Sequence, residues 1–591
     1  MRANFFRGRV AVTFDAIPVR SQTDVLDDLV RHSWYSDFSI TSAYPLRRTS
    51  AGVFVIASPA RSAALNPTLP PRRRGTAATV GAASASRRGD PPVALVTATV
   101  MLGVIMAIID TSIVNVALPN MAGNLGAATD EISWVATGYI LANVVIMPLN
   151  GWLTAVLGRK RFYAASLLIF TVSSFLCGTA HDVTTLIIWR IIQGIGGGAL
   201  QPTAQAIMFE SYPPAKRGSA MAIFGMGAMV GPAIGPSLGG WIVDNYSWPL
   251  IFFINIPIGI LAFVMTLLFI RDPAYIRKRE RGADLIGLGA MTIGIASLQY
   301  VLERGQRDDW FDSATITLLA VTAVAGLAFF IVRELRDPHP FVDLRVFASR
   351  SFTAGTIIGI VSGFGLYGLN LVLPLFFQNV LGFDALQTGY ALLPGAIATA
   401  ISMPIAGRLT RVLDPRVEIG IGLALFALGA WLMGGLNQYA GFWDIFWPRT
   451  CQGFALGFLF VPLTTTALSG ISRGAMANAT GIYTLVRQLG GSLGIAVLEL
   501  IETRREDYAQ SIFAGNITLS RVPVAQMMQG AQDRAHQVAA LAGMVVQDAT
   551  VVAYDYVFRF CAIVFIVSIP TVLLLHKPKV GRSTNAAALV E

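Results

Sequence analysis

The sequence predicts an all-α integral membrane protein whose fourteen spanning helices are arranged 6+2+6, on three observations. Of its 591 residues, 54% are hydrophobic and only 13% are charged, and the mean hydropathy is +0.60, values that no ordinary soluble domain combines. The apolar residues lie in continuous runs close to the ~20 residues a helix needs to cross a bilayer, and not in the alternating segments of about ten residues that build a membrane barrel. The pattern of runs also repeats along the chain. A soluble enzyme with one anchor and a β-barrel are therefore both excluded.

In chain order the runs fall near 93–117, 132–156, 162–180, 183–208, 219–242, 249–270, 284–302, 313–332, 352–376, 386–406, 417–436, 443–466, 477–500 and 552–575. The connecting loops test this count, because Lys and Arg accumulate in short cytoplasmic loops. Alternate loops hold Arg159-Lys160-Arg161, then Lys216-Arg217, then five basic residues over 271–281, four over 333–350, then Arg408, Arg411 and Arg416, and finally Arg473. The short loops between them hold only Arg304 and Arg307. Such an asymmetry places the basic loops and both termini in the cytoplasm. The last outer loop, 502–551, is too long for a simple connection. Its stretch Val522–Val546 carries apolar residues at partly helical spacing and reads as a short amphipathic helix on the outer surface.

The repeat is carried by three matches. Gly151-Trp-Leu-Thr154 recurs as Gly407-Arg-Leu-Thr410, Arg190-x-x-Gln193-Gly194 as Arg449-x-x-Gln452-Gly453, and Gly235-x-Ser-Leu-Gly239 as Gly490-x-Ser-Leu-Gly494, at offsets of 256, 259 and 255. All lie at equivalent helices, which argues for duplication of a six-helix half. Domains follow: a basic tail over 1–92, a first half over 93–271, two inserted helices with linker over 272–351, a second half over 352–576 containing the outer loop, and a tail over 577–591. Two parallel repeats of six helices are how major facilitator transporters are built, with the cavity between halves near the midplane.

The formal charge of +10 is no nucleic-acid signature. Residues 1–92 hold 13 Arg, no Lys and 6 Asp, so most of the excess belongs to a tail without helical or strand period, which reads as disordered. It lacks the apolar core of a secretory signal. It suits a basic arm near anionic lipid, a regulatory segment, or residues ahead of the true start; the lack of periodic order favours the last. No Met lies between Met1 and Met101, so such a start would use another codon, for instance at Val80. N-terminal sequencing of the native protein decides it.

Few residues can carry chemistry. Asp110 lies deep in the first run, and a carboxylate in hydrocarbon is costly when ionised, which makes it a natural site of reversible protonation; the plainer alternative is an acid satisfied by nearby hydroxyls. Arg190 and Arg449 share a helix face with Gln193 and Gln452. A guanidinium keeps its proton, so Arg190 would tune a carboxyl or bind an anion, whereas Arg449, beside Trp443 and Trp447, reads as an arginine snorkelling to the outer boundary. The fifth run carries Gly227, Gly231, Gly235 and Gly239 with Pro232 and Pro236 between, a ridge allowing close helix approach. Gly158, Arg159, Lys160 and Arg161 form a turn that is either a positive-inside anchor or a gate. Met106, Asn115, Gln193 and Tyr367 are candidates to line a substrate cavity, with Phe364, Phe376 and Phe377 adding aromatic character. Three cysteines sit in apolar runs as packing residues. Five scattered histidines give no metal cluster, no phosphate loop supports ATP drive, and no span presents a hydrolytic constellation.

Taken together, the run Asp110–Pro119, the Arg190/Gln193/Gly194 pattern, the loop Tyr212–Gly218, the glycine-proline ridge and Asn255-Ile256-Pro257-Ile258-Gly259 resemble the 14-helix drug:proton antiporters of the EmrB/QacA type, over about 93–575. The resemblance implies the major facilitator fold and proton-driven efflux of lipophilic compounds across a bacterial cytoplasmic membrane without a bound cofactor. It implies Asp110 as the proton-coupling acid with Arg190 in support, the ridge as a mark of export, and a secondary acid at Asp555. In Gram-negative cells it also implies a periplasmic adaptor and an outer-membrane channel. Ala155 stands where the facilitator loop usually has an Asp, which weakens the expected gating ion pair. A transporter of one specific metabolite and a non-transporting sensor remain as alternatives, separable by substrate range and by proton movement.

Overall fold

The computed structural model describes residues 91–273, 284–338, 340–517 and 534–575. Fourteen helices among them are long and apolar enough to cross a membrane. They are α1 Val93–Leu125, α2 Thr129–Leu157, α3 Arg159–Gly178, α4 Val183–Ser211 and α5 Arg217–Asn245, α6 Leu250–Phe269, then α7 Leu285–Arg304, α8 Ala314–Arg336, α9 Arg350–Asn379, α10 Ala385–Leu409, α11 Pro415–Met433, α12 Phe442–Ser469, α13 Met476–Asn516 and α14 Arg534–Ser568. A helix satisfies its own backbone, which hydrocarbon cannot do. Local chemistry sets the ends. Asp182 accepts from the Thr185 amide at 2.8 Å, Asp384 and Gln387 exchange a reciprocal capping pair, and Gly126 closes α1 at φ +62°. Thr185 holds the Asp182 carboxyl below its ordinary value.

Packing follows the duplication. α1 lies on α5, α2 and α3 on α4, and α3 on α6; eight helices later, α9 lies on α13, α10 and α11 on α12, and α11 on α14. The halves meet through α5 against α10 and α2 against α13, again equivalent pairs. α7 and α8 pack on one another, and α7 touches both α2 and α13. The inserted hairpin thus covers a seam, where Gln299 Nε2 of α7 donates to Ser492 Oγ of α13 at 2.8 Å.

Near the basic loops the halves approach closely. Asn150 Nδ2 donates to the Ala477 carbonyl at 2.9 Å while Thr203 Oγ1 donates to Asn150 Oδ1. Asn478 and Asp343 exchange bonds of 2.9 and 3.1 Å. A Cβ on Gly151 would come within 2.8 Å of the Asn478 Cα, and one on Gly407 within 2.9 Å of the Gly218 carbonyl oxygen. The repeated glycines Gly151 and Gly407 are therefore where one half presses on the other.

The outer loop is corrected. α13 continues unbroken to Asn516 over 41 residues, about 60 Å of helix where a hydrocarbon core takes ~30 Å, and the piece from Arg534 is the start of α14 rather than a separate surface helix. The extensions pair: Thr550 Oγ1 donates to Glu506 at 2.9 Å, Arg505 covers the Tyr556 ring at 4.3 Å, and Ala509 and Ala549 are buried. Glu502, Arg504, Arg505, Glu506 and Asp507 end the hydropathy signal but are not helix breakers. The rest of the expected amphipathic segment, together with the tails 1–90 and 576–591, lies outside the described residues.

Candidate functional site

Asp110 is completely buried on α1 and receives three donors from two other helices. Arg190 Nη1 of α4 donates to Oδ2 at 2.7 Å, and Oδ1 accepts from Gln193 Nε2 of α4 at 3.0 Å and from Asn255 Nδ2 of α6 at 2.8 Å. Arg190, 1% exposed, spends its other donors on Gln193 Oε1 at 2.8 Å and, through Nε, on the Val135 carbonyl of α2 at 3.0 Å. Its guanidinium lies over the Tyr139 ring, 4.2 Å from the centroid. Ser174 of α3 accepts from Asn255 and donates to the Phe252 carbonyl. Buried charge is tolerable only when paired and hydrogen-bonded, and here five helices join to meet that condition. Protonating Asp110 would cancel the partner charge of Arg190 and convert an acceptor into a donor, so the site ties one proton to the packing of α1, α2, α4 and α6.

Asp110 itself does not face the central cavity. That cavity, about 140 Å³, is lined by Thr111 and Ser112 of α1, Tyr139 and Asn143 of α2, Tyr367 of α9 and Arg487 of α13 among others. Tyr139 is the partition: one side of its residue bounds the cavity and its ring carries Arg190. Of the residues expected to line a substrate cavity, Tyr367 lies at the wall of this one. Met106 does not: it is fully buried in a hydrophobic cluster shared by both halves, on the face it shares with Asp110 four residues on. Asn115 is exposed and lines neither cavity described here, and Gln193 belongs to the Asp110 cluster. A second cavity, about 180 Å³, shares Met229, Leu366 and Asn370 with the first and reaches Arg449. Arg449 therefore turns inward instead of snorkelling, while Trp443 and Trp447 are exposed. Asp555 pairs with Arg559 one turn away at 2.7 Å, remote from Asp110 and its partners. Arg487, 9% exposed and 5.1 Å from the centroid of the Phe460 ring, escaped the sequence reading although a lone cation in the run 477–500 was its signal. Tyr139 escaped too, since an aromatic in an apolar run is by default packing.

The Gly158–Arg161 turn joins α2 to α3 and is clamped from outside its own segment. Lys160 N donates to Asp272 Oδ1 at 2.8 Å, and Arg159, 4% exposed, forms a two-pronged pair with Glu210 of α4 at 2.8 and 3.1 Å. Asp272, just past α6, thus holds the turn at a position where no sequence pattern marked it. Gly158 has φ +82° and ψ 152°, a region essentially closed to other residues, and a Cβ there would lie 2.8 Å from Asp272 Oδ2. Gly158→Ala is expected to lower stability by about 1–3 kcal/mol, read as a fall in melting temperature of the purified protein. An unchanged melt would show that the turn relaxes freely.

The ridge on α5 faces α1. A Cβ would meet Met101 at Gly227, Ile108 at Gly231, Ser112 at Gly235 and Ile113 at Gly239, with the Ile108 carbonyl carbon 2.8 Å away at Gly231. Pro232 and Pro236 lie within the continuous helix. Because Asp110 lies between Ile108 and Ser112, this close approach fixes its depth and rotation. Gly235→Leu is expected to cost about 1–3 kcal/mol by overpacking and to stop transport by displacing Asp110; transport at the wild-type rate would contradict that role.

Residues 100–495 match the Major Facilitator Superfamily. The chain is similar to the multidrug export protein EmrB of Escherichia coli (strain K12), 38% identical over 413 residues covering 70% of this chain and 80% of that one. It is also similar to the fatty acid resistance protein FarB of Neisseria gonorrhoeae, 36% identical over 493 residues, 82% of this chain and 96% of that one. Among solved structures, the human organic anion transporter MFSD10 (TETRAN) has the same fold, with a TM-score of 0.52 at 14% identity, covering 82% of this chain and all of the other. Fourteen membrane-length helices, the paired six-helix packing and these matches agree: the chain is a multi-pass transporter that belongs to the Major Facilitator Superfamily.

Proposed function

We propose that this transporter exports lipophilic toxic compounds across a bacterial cytoplasmic membrane in exchange for protons, by alternating access of the cavity between its halves. The observation that carries this reading is the buried Asp110–Arg190 pair, set behind Tyr139 of the central cavity. A protonatable group that cargo does not touch, yet whose partner rests on a cavity wall, is what coupling of two ligands requires: each biases the same packing. With the basic loops in the cytoplasm, as the loop charges argue, the halves press together on the cytoplasmic side, so the arrangement suits the state that exchanges with the exterior. A proton arriving from outside neutralises Asp110 and loosens Arg190 from it; the cavity repacks and releases cargo outward. Deprotonation on the inner side restores the pair. One charge crossing the membrane is worth about 2.3 kcal/mol per 100 mV, enough at about 150 mV for a gradient of a few hundredfold for a neutral cargo.

EmrB is by name a multidrug export protein, which supports drugs as cargo. In a cell with two membranes the reading extends to a periplasmic adaptor and an outer-membrane channel, for which the paired extensions of α13 and α14 offer a surface. The test uses energised inside-out vesicles loaded with a pH-sensitive dye. Adding a panel of lipophilic drugs should collapse the interior acidity in wild type and not in Asp110→Asn. Collapse that is independent of Asp110, or absent for every drug with the protein inserted and folded, would overturn the reading.

A further inference from the structure

The two halves repeat the same Arg-x-x-Gln-Gly element but complete it differently. In the first half Arg190 Nη1 donates to Gln193 Oε1 at 2.8 Å, and both side chains then turn their free donors on Asp110. In the second half Arg449 Nη1 donates to Gln452 Oε1, also at 2.8 Å, but there is nothing beyond it. α9, which repeats α1, contains no Asp or Glu. Arg449 Nε and Gln452 Nε2 are buried polar atoms without a hydrogen-bond partner. Among the described residues no carboxylate pairs with Arg449 or with Arg487, and neither cavity has an acidic lining residue. Unpaired donors and an unpaired cation in hydrocarbon are costly, and Arg449 and Gln452 both line a space that is otherwise walled by Leu366, Leu369, Leu393, Phe426 and Leu456. Gly395 lets Arg449 lie close against α10: a Cβ there would lie 3.0 Å from Arg449 Nη2.

We propose that Arg449 and Gln452 form an anion-binding subsite in which the carboxylate of a lipophilic organic acid takes the place that Asp110 fills in the other half. The apolar body of the acid lies against the leucines and Phe426, and Arg487, bounding the adjoining cavity, attracts the same charge. This inference rests on the reading of the central cavities as the route of the cargo, and it deepens that reading by giving the cargo a sign. A lipophilic cation would meet two arginines and no counter-charge.

The experiment compares two compounds of like shape and opposite charge, 4-phenylbutyrate and 4-phenylbutylamine, titrated into the purified full-length transporter at fixed pH without a gradient, with binding followed by calorimetry. Phenylbutyrate should bind saturably, and Arg449→Met and Gln452→Leu should each weaken it, the arginine change by about tenfold to a hundredfold, as loss of a charge-assisted pair of bonds implies. Arg449→Lys should recover part of the loss. Melting curves recorded on the same samples establish that each variant is folded. Preferential binding of phenylbutylamine, or phenylbutyrate binding unchanged in folded Arg449→Met and Gln452→Leu, would overturn the proposal. Because the assay needs no proton gradient, its failure beside intact Asp110-dependent proton exchange would sink the anion subsite alone. Intact binding without proton exchange would sink only the antiport.

Discussion

Asp110→Asn is expected to leave a folded, inserted transporter in which drug-dependent proton movement falls by about a hundredfold or more, the signature of losing a group that acts only in the coupled step. The amide is isosteric and can still accept from Arg190, and the guanidinium keeps its place over Tyr139 and its bonds to Gln193 and the Val135 carbonyl. What is lost is the proton itself, because an amide cannot exchange one at any working pH. Cargo can still enter the cavity lined by Tyr139, Tyr367 and Arg487, so binding should survive where pumping does not, at the weaker affinity that belongs to the neutral state of residue 110. Vesicle dequenching and equilibrium binding on the same preparation check both halves of this expectation.

The second large effect is on stability. Arg190→Leu removes the cation and leaves the Asp110 carboxylate, wholly shielded from solvent, with only Gln193 and Asn255 as donors. Breaking a buried pair by deleting one partner costs about 3–5 kcal/mol, whereas removing both charges can be nearly neutral. The single variant should therefore melt well below wild type, and Asp110→Asn/Arg190→Leu should recover most of the loss while remaining unable to move protons. The interaction term of this double-mutant cycle measures the pair directly. Additive losses would show that the two groups are held independently by their other bonds.

Much of this arrangement was legible in the sequence because membranes make charge conspicuous. Asp110 and Arg190 stood out as ionisable groups in apolar runs, and hydropathy placed all fourteen spans because each is sealed in hydrocarbon. Less legible was anything that depends on rotation about a helix axis or on contacts distant in sequence. Met106 has the residue type of a drug-cavity wall, yet it sits one helical turn before Asp110 and so faces the same buried interior; Ile108, Thr111 and Ser112 face the cavity instead. Asp272 clamps the Gly158–Arg161 turn from more than a hundred residues away, and no local pattern could announce it. The extensions of α13 and α14 were hidden by charge, since hydropathy reports where a helix meets lipid and not where it ends. The fate of Arg449 depended on helix rotation as well: two neighbouring tryptophans make it read as a boundary arginine, and only the folded bundle turns it inward to the second cavity.

The central claim is that cargo and proton act on one buried pair. Its most direct measurement is proton release from the purified transporter in weakly buffered solution as a transported drug is added. Wild type should release up to about one proton per bound drug within the range of pH in which it transports, by linkage of the two ligands, and Asp110→Asn should bind the drug and release none. Equal release from both proteins, or saturable drug binding to wild type without any release across the range of pH in which it transports, would contradict the account.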